Sequence, residues 1–425
     1  MKKHPLWTLA GVLLLGTLAL AACGPAATPT EVIVAPPAEA TATSAPATET
    51  PLTGTVTLWH AFTEKEIASL NDVIAAFQAT YPEVTIDVLY TPFDDLRGKF
   101  ETAAATGEGP DLLLGAADWG PALYNAGLLT DVSMYAGEDL LASINSAALG
   151  AVQYQGALVG LPHTIKGVVM FRNSAIIPEA PASYDDLVSA AAGATAGDVV
   201  GADLEYGPFF SMAQLTACGG ELMDANGDPA FNNEAGVCWV NLLNSYKDAG
   251  PTEFYTDNDV NLFKTGNAGL IIDGTWNTSA LAEAIGADNL VIDLWPAYSG
   301  SHLSGYVQTD NVYLSANVAP ENLDAAWAFM AFLFTPETQA LLADPTKAAH
   351  IPAVAGVEIT DRLMQESVAS FELGTAFPVI PEMGQYWGPI ETALKSVFDE
   401  GADPAAALQT AFDSVTAGLA EMRSQ

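Results

Sequence analysis

The chain has 425 residues, of which 50% are hydrophobic and 9% aromatic, a composition typical of a globular protein. Its length is too great for one core and suits two. Its formal net charge at pH 7 is -38. A surface this acidic repels phosphate backbones and anionic lipid headgroups, which argues against nucleic acid as a partner and against membrane contact other than through a lipid.

The first 22 residues have the pattern of a secretory signal peptide. Lys2 and Lys3 precede an apolar run over residues 6–20, and small residues follow it. Leu20-Ala21-Ala22-Cys23 resembles the lipobox of bacterial lipoproteins, in which the peptide is cut before a cysteine that carries the lipid. The resemblance implies that Cys23 anchors the mature protein to the outer side of a membrane. The alternative is a chance cysteine after a signal peptide.

The segment that follows, residues 23–52, has the composition of a tether. Beyond Cys23 it is dominated by Ala, Pro, Thr and Glu, with no aromatic residue and no hydrophobic period. Such a segment cannot bury enough apolar surface to fold. We expect a semi-rigid spacer that holds the folded part away from the membrane.

The start of the folded part alternates between strand and helix patterns. Segments typical of strands cover residues 54–60, 84–90 and 111–114. Apolar residues recur at helical spacing over residues 64–80 and 93–105. This order predicts a parallel sheet with helices on its faces, so we expect an α/β fold.

The loop after the third predicted strand, residues 115–119, lies where open α/β sheets bind ligands, at the carboxyl ends of the strands. Asp118 and Trp119 there offer a hydrogen-bonding carboxylate and a flat ring. The alternative is an ordinary helix start, with Asp118 as the N-cap and Pro121 in the first turn.

Cys218 and Cys238 are the two cysteines beyond Cys23. Because the signal peptide directs the chain to an oxidising compartment, we expect a disulfide between them. Two separate buried thiols are the alternative. No Cys/His cluster with metal-ligand spacing occurs, and we expect neither a metal nor a cofactor.

Several segments, in order along the chain, resemble the extracellular solute-binding proteins of family 1, the maltose-binding-protein group that serves ABC importers. They are Thr57-Leu58-Trp59, residues 77–82, residues 104–111 with their ATGEGPD motif, and residues 154–162, 263–276 and 381–387. The resemblance covers nearly all of the chain beyond residue 53.

The resemblance implies a two-lobed, type II periplasmic-binding-protein fold with a ligand cleft between hinged lobes. The N-terminal lobe is expected to comprise residues 53–164 and 309–360, and the C-terminal lobe residues 165–308 and 361–425. Hinge strands are expected near residues 163–167 and 306–311. The implied protein is a monomer outside the cytoplasm that captures a di- or oligosaccharide and hands it to an ABC permease, without chemistry.

The resemblance also implies which residues bind the sugar. Trp276 and Trp387 match stacking tryptophans, and Phe209 aligns with a ligand-contacting tyrosine. Asp118 matches an aspartate that binds hydroxyls, and Trp119 offers a further platform. Taken without the family, each of these aromatic residues is more often part of a core.

Three polar positions complete the expected site. Glu64 and Lys166 stand where the maltose-type proteins have the opposite charges, yet both remain able to hydrogen-bond hydroxyls. The alternative is that they pair with each other across the lobes or face solvent. Thr63 is expected to line the cleft beside Glu64.

Two other functions remain open from the residues. Asp118 with Glu205 would supply the carboxylates of a glycoside-acting enzyme, although nothing in the sequence fixes their separation. The acidic chain with its aromatic residues would also suit a polyamine as the solute.

Overall fold

The computed structural model describes residues 51–246, 249–253 and 257–424. The predicted signal peptide, Cys23 and nearly all of the predicted tether lie outside these residues. Within them, no helix combines the length and the apolar character needed to cross a membrane.

Strands and helices alternate from the first described residues onward. In chain order the strands are β1 (Gly54–His60), β2 (Val84–Tyr90), β3 (Leu112–Ala116), β4 (Gln153–Tyr154), β5 (Ala157–Leu158), β6 (Leu161–Asn173), β7 (Val200–Glu205), β8 (Thr252–Glu253), β9 (Ala268–Gly274), β10 (Leu290–Asp293), β11 (Ala297–Tyr298), β12 (Ser301–His302), β13 (Tyr306–Leu314), β14 (Ile351–Pro352) and β15 (Thr375–Ala376).

The helices are α1 (Glu64–Thr80), α2 (Phe93–Ala104), α3 (Trp119–Asn125), α4 (Glu138–Ser143), α5 (Ser146–Gly150), α6 (Tyr184–Ala194), α7 (Pro208–Ala217), α8 (Glu234–Ser245), α9 (Asn258–Lys264), α10 (Thr278–Ile285), α11 (Leu323–Phe332), α12 (Pro336–Leu342), α13 (Arg362–Phe371), α14 (Trp387–Glu400) and α15 (Pro404–Met422). Two 3-10 turns cover Thr275–Asn277 and Pro381–Gln385.

The strands and helices predicted for the start of the folded part are present, and β1, β2 and β3 form the predicted parallel sheet. β1 pairs in parallel with β2 on one side and with β3 on the other. Thr57 fixes β1 to the start of β3, because its backbone N–H and hydroxyl both donate to Asp111 Oδ2 at 2.8 Å. The carboxyl ends of β1, β2 and β3 therefore meet at one edge.

The third strand is longer than predicted. Gly115 and Ala116, which were assigned to the loop, belong to β3 because they pair with Asn311 and Asp310 of β13. The loop that precedes α3 is correspondingly shorter.

Two long strands, β6 and β13, connect two regions of the main sheet. The path of neighbours runs β2-β1-β3-β13-β6-β9-β7-β8. The first half of β6 pairs with β13, and its second half pairs with β9 and β10. Both long strands include the predicted hinge positions.

The apolar cores lie on either side of these strands. One core is built from β1 to β3 and α1 with α11, and includes Phe77 and Phe329. On the other side, Val168 and Met170 of β6 pack with α6 and β9, and Trp239 and Tyr386 pack with α15. The exact residue boundaries of the lobes stay a prediction.

A disulfide joins Cys218, which follows α7, to Cys238 in α8, with 6.0 Å between their Cα atoms. The bond closes a loop with a sequence separation of 20 residues beside the core that contains Tyr184 and Tyr246.

Removal of this bond is expected to lower the free energy of unfolding. Cross-linking restricts the unfolded chain, and a loop of this length contributes roughly 3 kcal/mol in the chain-entropy estimate. Urea denaturation of the Cys218→Ser/Cys238→Ser variant measures the loss, and added reductant should lower the stability of the wild type only. Equal midpoints for wild type and variant would contradict the expectation.

Candidate functional site

The amino end of α1 lies at the carboxyl edge of β1 and is fixed by a capping box. Thr63 Oγ1 accepts a hydrogen bond from the Glu66 N–H at 3.4 Å, and Glu66 Oε2 accepts one from the Thr63 N–H at 2.7 Å. Thr63 is half-buried, whereas the side chain of Glu64 is exposed. The cap therefore holds Thr63 at the edge in a defined position and leaves Glu64 toward solvent.

Asp118 lies at the same edge, between β3 and α3, and only 8% of its surface is exposed. It occupies the N-cap position of α3, but its side chain makes no capping hydrogen bond. Burial raises the pKa of Asp118 to about 6, although the positive charges of Arg97 and Lys166 act to lower it. The carboxylate is therefore largely removed from solvent, and it does not cap α3.

Trp119 is placed differently from the neighbouring Asp118. Its side chain packs in a core with Leu96, Phe100 and Tyr313, and 4% of its surface is exposed. Gly115 makes this possible, because a Cβ there would lie 2.4 Å from the indole. Trp119 supports the wall of the site and offers little ring surface to a ligand.

Lys166 of β6 pairs with Asp310 of β13 and not with Glu64. Its Nζ lies 2.5 Å from Asp310 Oδ2, and the two side chains are 14% and 7% exposed. The same Nζ lies 5.1 Å from the centroid of the Trp276 ring. Lys166 therefore links the two connecting strands and reaches the aromatic residues described next.

Asp310 was not predicted as a site residue from the sequence. Its Oδ1 is buried and has no hydrogen-bond partner among the residues that the structure describes. The available signal was a carboxylate within a predicted hinge strand. Its charge acts on Asp118, so Asp118, Lys166 and Asp310 form one polar group.

The three predicted aromatic residues Phe209, Trp276 and Trp387 come together. The ring of Phe209 lies 6.3 Å from Trp276 and 6.4 Å from Trp387, measured between centroids. All three side chains are half-buried, so each keeps part of its ring exposed. We call them the aromatic cluster.

Sheet topology explains this convergence. β7 and β9 are parallel neighbours, so Phe209, which follows β7, and Trp276, which follows β9, leave the sheet at the same edge. Gly274 leaves space for the indole, because a Cβ there would lie 2.0 Å from the Trp276 ring. Trp387 begins α14 and stacks on Phe377 at 6.0 Å with an interplanar angle of 12°.

Phe377 and Tyr306 are further members of this region that sequence reasoning missed. Their rings lie 5.9 Å and 6.0 Å from that of Phe209.

Glu205, considered as half of a catalytic pair with Asp118, ends β7 and is buried. Among the described residues, no group of three or more His, Cys, Asp or Glu side chains is arranged to hold a metal ion.

Comparison with known proteins supports a relationship along most of the chain. The family model described as bacterial extracellular solute-binding protein matches residues 72–368. The maltotriose-binding protein of Pyrococcus abyssi is 25% identical over 369 residues, covering 82% of this chain and 78% of the relative. The galactooligosaccharide-binding protein of Bacillus subtilis is 24% identical over 369 residues, with 81% and 85% covered.

A third relative is the maltooligosaccharide ABC transporter solute-binding lipoprotein of Streptococcus pneumoniae R6, 24% identical over 374 residues, with 82% of this chain and 84% of the relative covered. Among solved structures, the maltose/maltodextrin-binding domain of Bdellovibrio bacteriovorus bound to maltotriose matches with a TM-score of 0.80 at 22% identity. That match covers 86% of this chain and all of the other, and it confirms the two-lobed, type II fold with a ligand cleft. The predicted relationship is confirmed: the chain belongs to the bacterial extracellular solute-binding proteins.

Proposed function

We propose that this protein captures a di- or oligosaccharide, maltodextrin-like in its linkage, in the cleft between its lobes and delivers it to an ABC permease. The observation that carries the proposal is the aromatic cluster beside the polar group of Asp118, Lys166 and Asp310. Thr63 lies at the same edge as Asp118 and supplies a further hydroxyl.

The two parts of the site suit the two kinds of surface on a pyranose ring. The half-buried rings of Trp276, Trp387 and Phe209 suit the apolar face of the sugar, where stacking and desolvation provide affinity. Carboxylates accept hydrogen bonds from hydroxyls and the Lys166 ammonium donates them, which orients the sugar.

The related proteins support the same solute class and context. Those compared above are binding proteins for maltotriose, galactooligosaccharide and maltooligosaccharide. The last is named as a lipoprotein of an ABC transporter, which supports the proposal that Cys23 is acylated. We propose a lipid-anchored monomer outside the cytoplasm, whose closed form the permease recognises.

The proposal excludes turnover of the sugar. Calorimetric titration of the purified protein with maltotriose should give saturable binding, and chromatography after prolonged incubation should recover maltotriose unchanged. A matched incubation with the Asp118→Asn variant should recover the same sugar. Release of shorter sugars by the wild type and not by the variant would favour a glycoside-acting enzyme instead.

Sugar affinity is expected to fall as the pH drops through about 6. The raised pKa of Asp118, which burial causes, means that its carboxylate is ionised above about pH 6 and protonated below it. If hydroxyls donate to the ionised form, affinity at pH 5 should be about tenfold weaker than at pH 7.5. Calorimetry at the two pH values measures this.

The Asp118→Asn variant provides the control for this pH dependence. Burial also raises the pKa of Asp273, to about 7, and this group titrates in a similar range. A pH dependence that persists unchanged in Asp118→Asn would assign it to another group.

A further inference from the structure

The start of α14, which carries Trp387, is not fixed by a cap of its own. Tyr386 occupies the N-cap position, and within the described chain its side chain forms no capping hydrogen bond. The preceding turn, Pro381–Gln385, likewise begins without a side-chain cap among the described residues. A helix end frays more readily where no side chain caps it. The position of the Trp387 indole therefore depends on contacts from elsewhere in the chain.

The buried side chain of Tyr386 provides one such contact. Its hydroxyl donates to the backbone oxygen of Gly227 at 2.8 Å, and the residue is 0% exposed. Gly227 lies in a tight turn, residues 224–228, in which Asp224 Oδ1 accepts two backbone N–H hydrogen bonds, at 2.8 and 3.0 Å. A buried hydrogen bond to a turn that is itself held by hydrogen bonds fixes the Tyr386 ring and, with it, the chain where α14 begins.

Arg423, the residue after α15, holds the same turn against the one that precedes α14. Its Nη1 donates to Asp228 Oδ1 at 2.6 Å, and its Nη2 donates to the backbone oxygen of Asn226 at 2.8 Å. The same Nη2 lies 3.6 Å from Glu382 Oε1, in the turn before α14. A planar guanidinium can bond a carboxylate and a carbonyl oxygen at once. Three separate segments of the chain therefore meet immediately before the Trp387 indole.

Close packing supports the same arrangement. A Cβ at Gly227 would lie 3.0 Å from Ile380 Cδ1 and 3.2 Å from Glu382 Cγ, so the turn of residues 224–228 lies directly against the segment before α14. On its other side, Trp387 stacks on Phe377 at 6.0 Å. The indole is therefore placed by the turn behind it as well as by the ring beside it.

We propose that Tyr386 and Arg423 are positioning residues for the sugar. By fastening the turn before α14 to residues 224–228, they hold the Trp387 indole where it stacks on the ligand, 6.4 Å from the Phe209 ring. The inference rests on the proposed function, in which Trp387 is a stacking ring, and adds the residues that set its position. A ring held in place before the ligand arrives loses less freedom on binding, which raises affinity.

The first test is coupling to Trp387. Tyr386→Phe removes the hydroxyl and keeps the ring, and Arg423→Gln removes the guanidinium. Calorimetric titration of the purified protein with maltotriose should give affinity about 2- to 10-fold weaker in each variant, the range for one hydrogen bond. In the Trp387→Ala background neither substitution should weaken affinity further, because the ring that they position is absent. A merely structural role would lower affinity by the same factor in both backgrounds.

The position of the ring can also be measured without sugar. In protein labelled with fluorotryptophan, the fluorine NMR signal of Trp387 is assigned by its absence in Trp387→Ala. Tyr386→Phe and Arg423→Gln should each shift or broaden this signal. The signal of Trp327, which packs against the core of the first sheet region, should stay unchanged in both.

Two matched variants control for the loss of a hydrogen bond as such. The buried Tyr184 hydroxyl also donates to a backbone oxygen at 2.8 Å. Arg362 also bonds a carboxylate, Glu366 Oε1 at 2.6 Å, together with backbone oxygens at 2.6 and 2.8 Å. Tyr184→Phe and Arg362→Gln should lower stability and leave both the Trp387 signal and maltotriose affinity unchanged.

The contrary results have distinct meanings. An unchanged Trp387 signal in both Tyr386→Phe and Arg423→Gln overturns the positioning role, and so does a loss of affinity that persists in the Trp387→Ala background. If the wild type binds no maltotriose, the proposed function fails and the role in sugar binding fails with it, even where the fluorine spectra show that both residues fix the ring.

Discussion

Replacement of Trp276 by alanine is expected to weaken sugar affinity about 10- to 100-fold, or roughly 1.5–3 kcal/mol, the range for burying and stacking one large aromatic side chain. The indole is half-buried, and it lies 6.3 Å from the Phe209 ring and 5.1 Å from Lys166 Nζ, at the proposed sugar position. Trp387→Ala should act in the same direction. Calorimetric titration with the bound oligosaccharide measures both.

Trp327→Ala is the matched control for these variants. Trp327 is also a half-buried tryptophan, but it packs against the core of the first sheet region and beside Tyr135. Its loss should lower stability and leave sugar affinity unchanged. Unchanged affinity in both Trp276→Ala and Trp387→Ala would remove the stacking model.

Asp310→Asn is expected to lower the free energy of unfolding by about 3 kcal/mol, because removing one partner of a buried ion pair leaves the other charge uncompensated. Asn has nearly the same volume as Asp, so the loss reports the charge on Lys166 more than a cavity. The midpoint of urea denaturation gives the change in stability. Sugar affinity should also fall, since Asp310 belongs to the polar group of the site.

A second substitution tests this explanation. In Lys166→Met/Asp310→Asn the unpaired ammonium is gone, so most of the stability should return, because no charge is left buried without a partner. Sugar affinity should stay low, since the donor is also lost. A double variant as unstable as Asp310→Asn would show that the pair is not the cause.

Local patterns were sufficient for the first part of the fold. β1, α1, β2 and α2 were predicted from alternation and helical spacing within a few residues of their observed bounds, because each buries a face that its own sequence specifies. The end of β3 was not predicted correctly, since Gly115 and Ala116 are held in the strand by β13, about 200 residues away in the chain.

The polar part of the site depended on such distant pairings as well. Lys166 was predicted as a site residue, but its partner Asp310 is set by the register between β6 and β13, which no local pattern specifies. Trp119 was expected as a platform, and its burial depends on the space that Gly115 leaves above β3. Trp276, Trp387 and Phe209 were predicted as site residues through the family resemblance, because their spacing alone does not distinguish a site from a core.

The measurement that tests the central claim most directly is thermal denaturation of the purified protein against a panel of mono- and oligosaccharides, polyamines, amino acids and metal ions. A ligand at 100 times its dissociation constant adds roughly 2.7 kcal/mol to the stability of the folded state. The proposed function predicts a raised midpoint with an oligosaccharide, and loss of that shift in the Trp276→Ala/Trp387→Ala variant. A raised midpoint with a polyamine or a metal ion alone would contradict it.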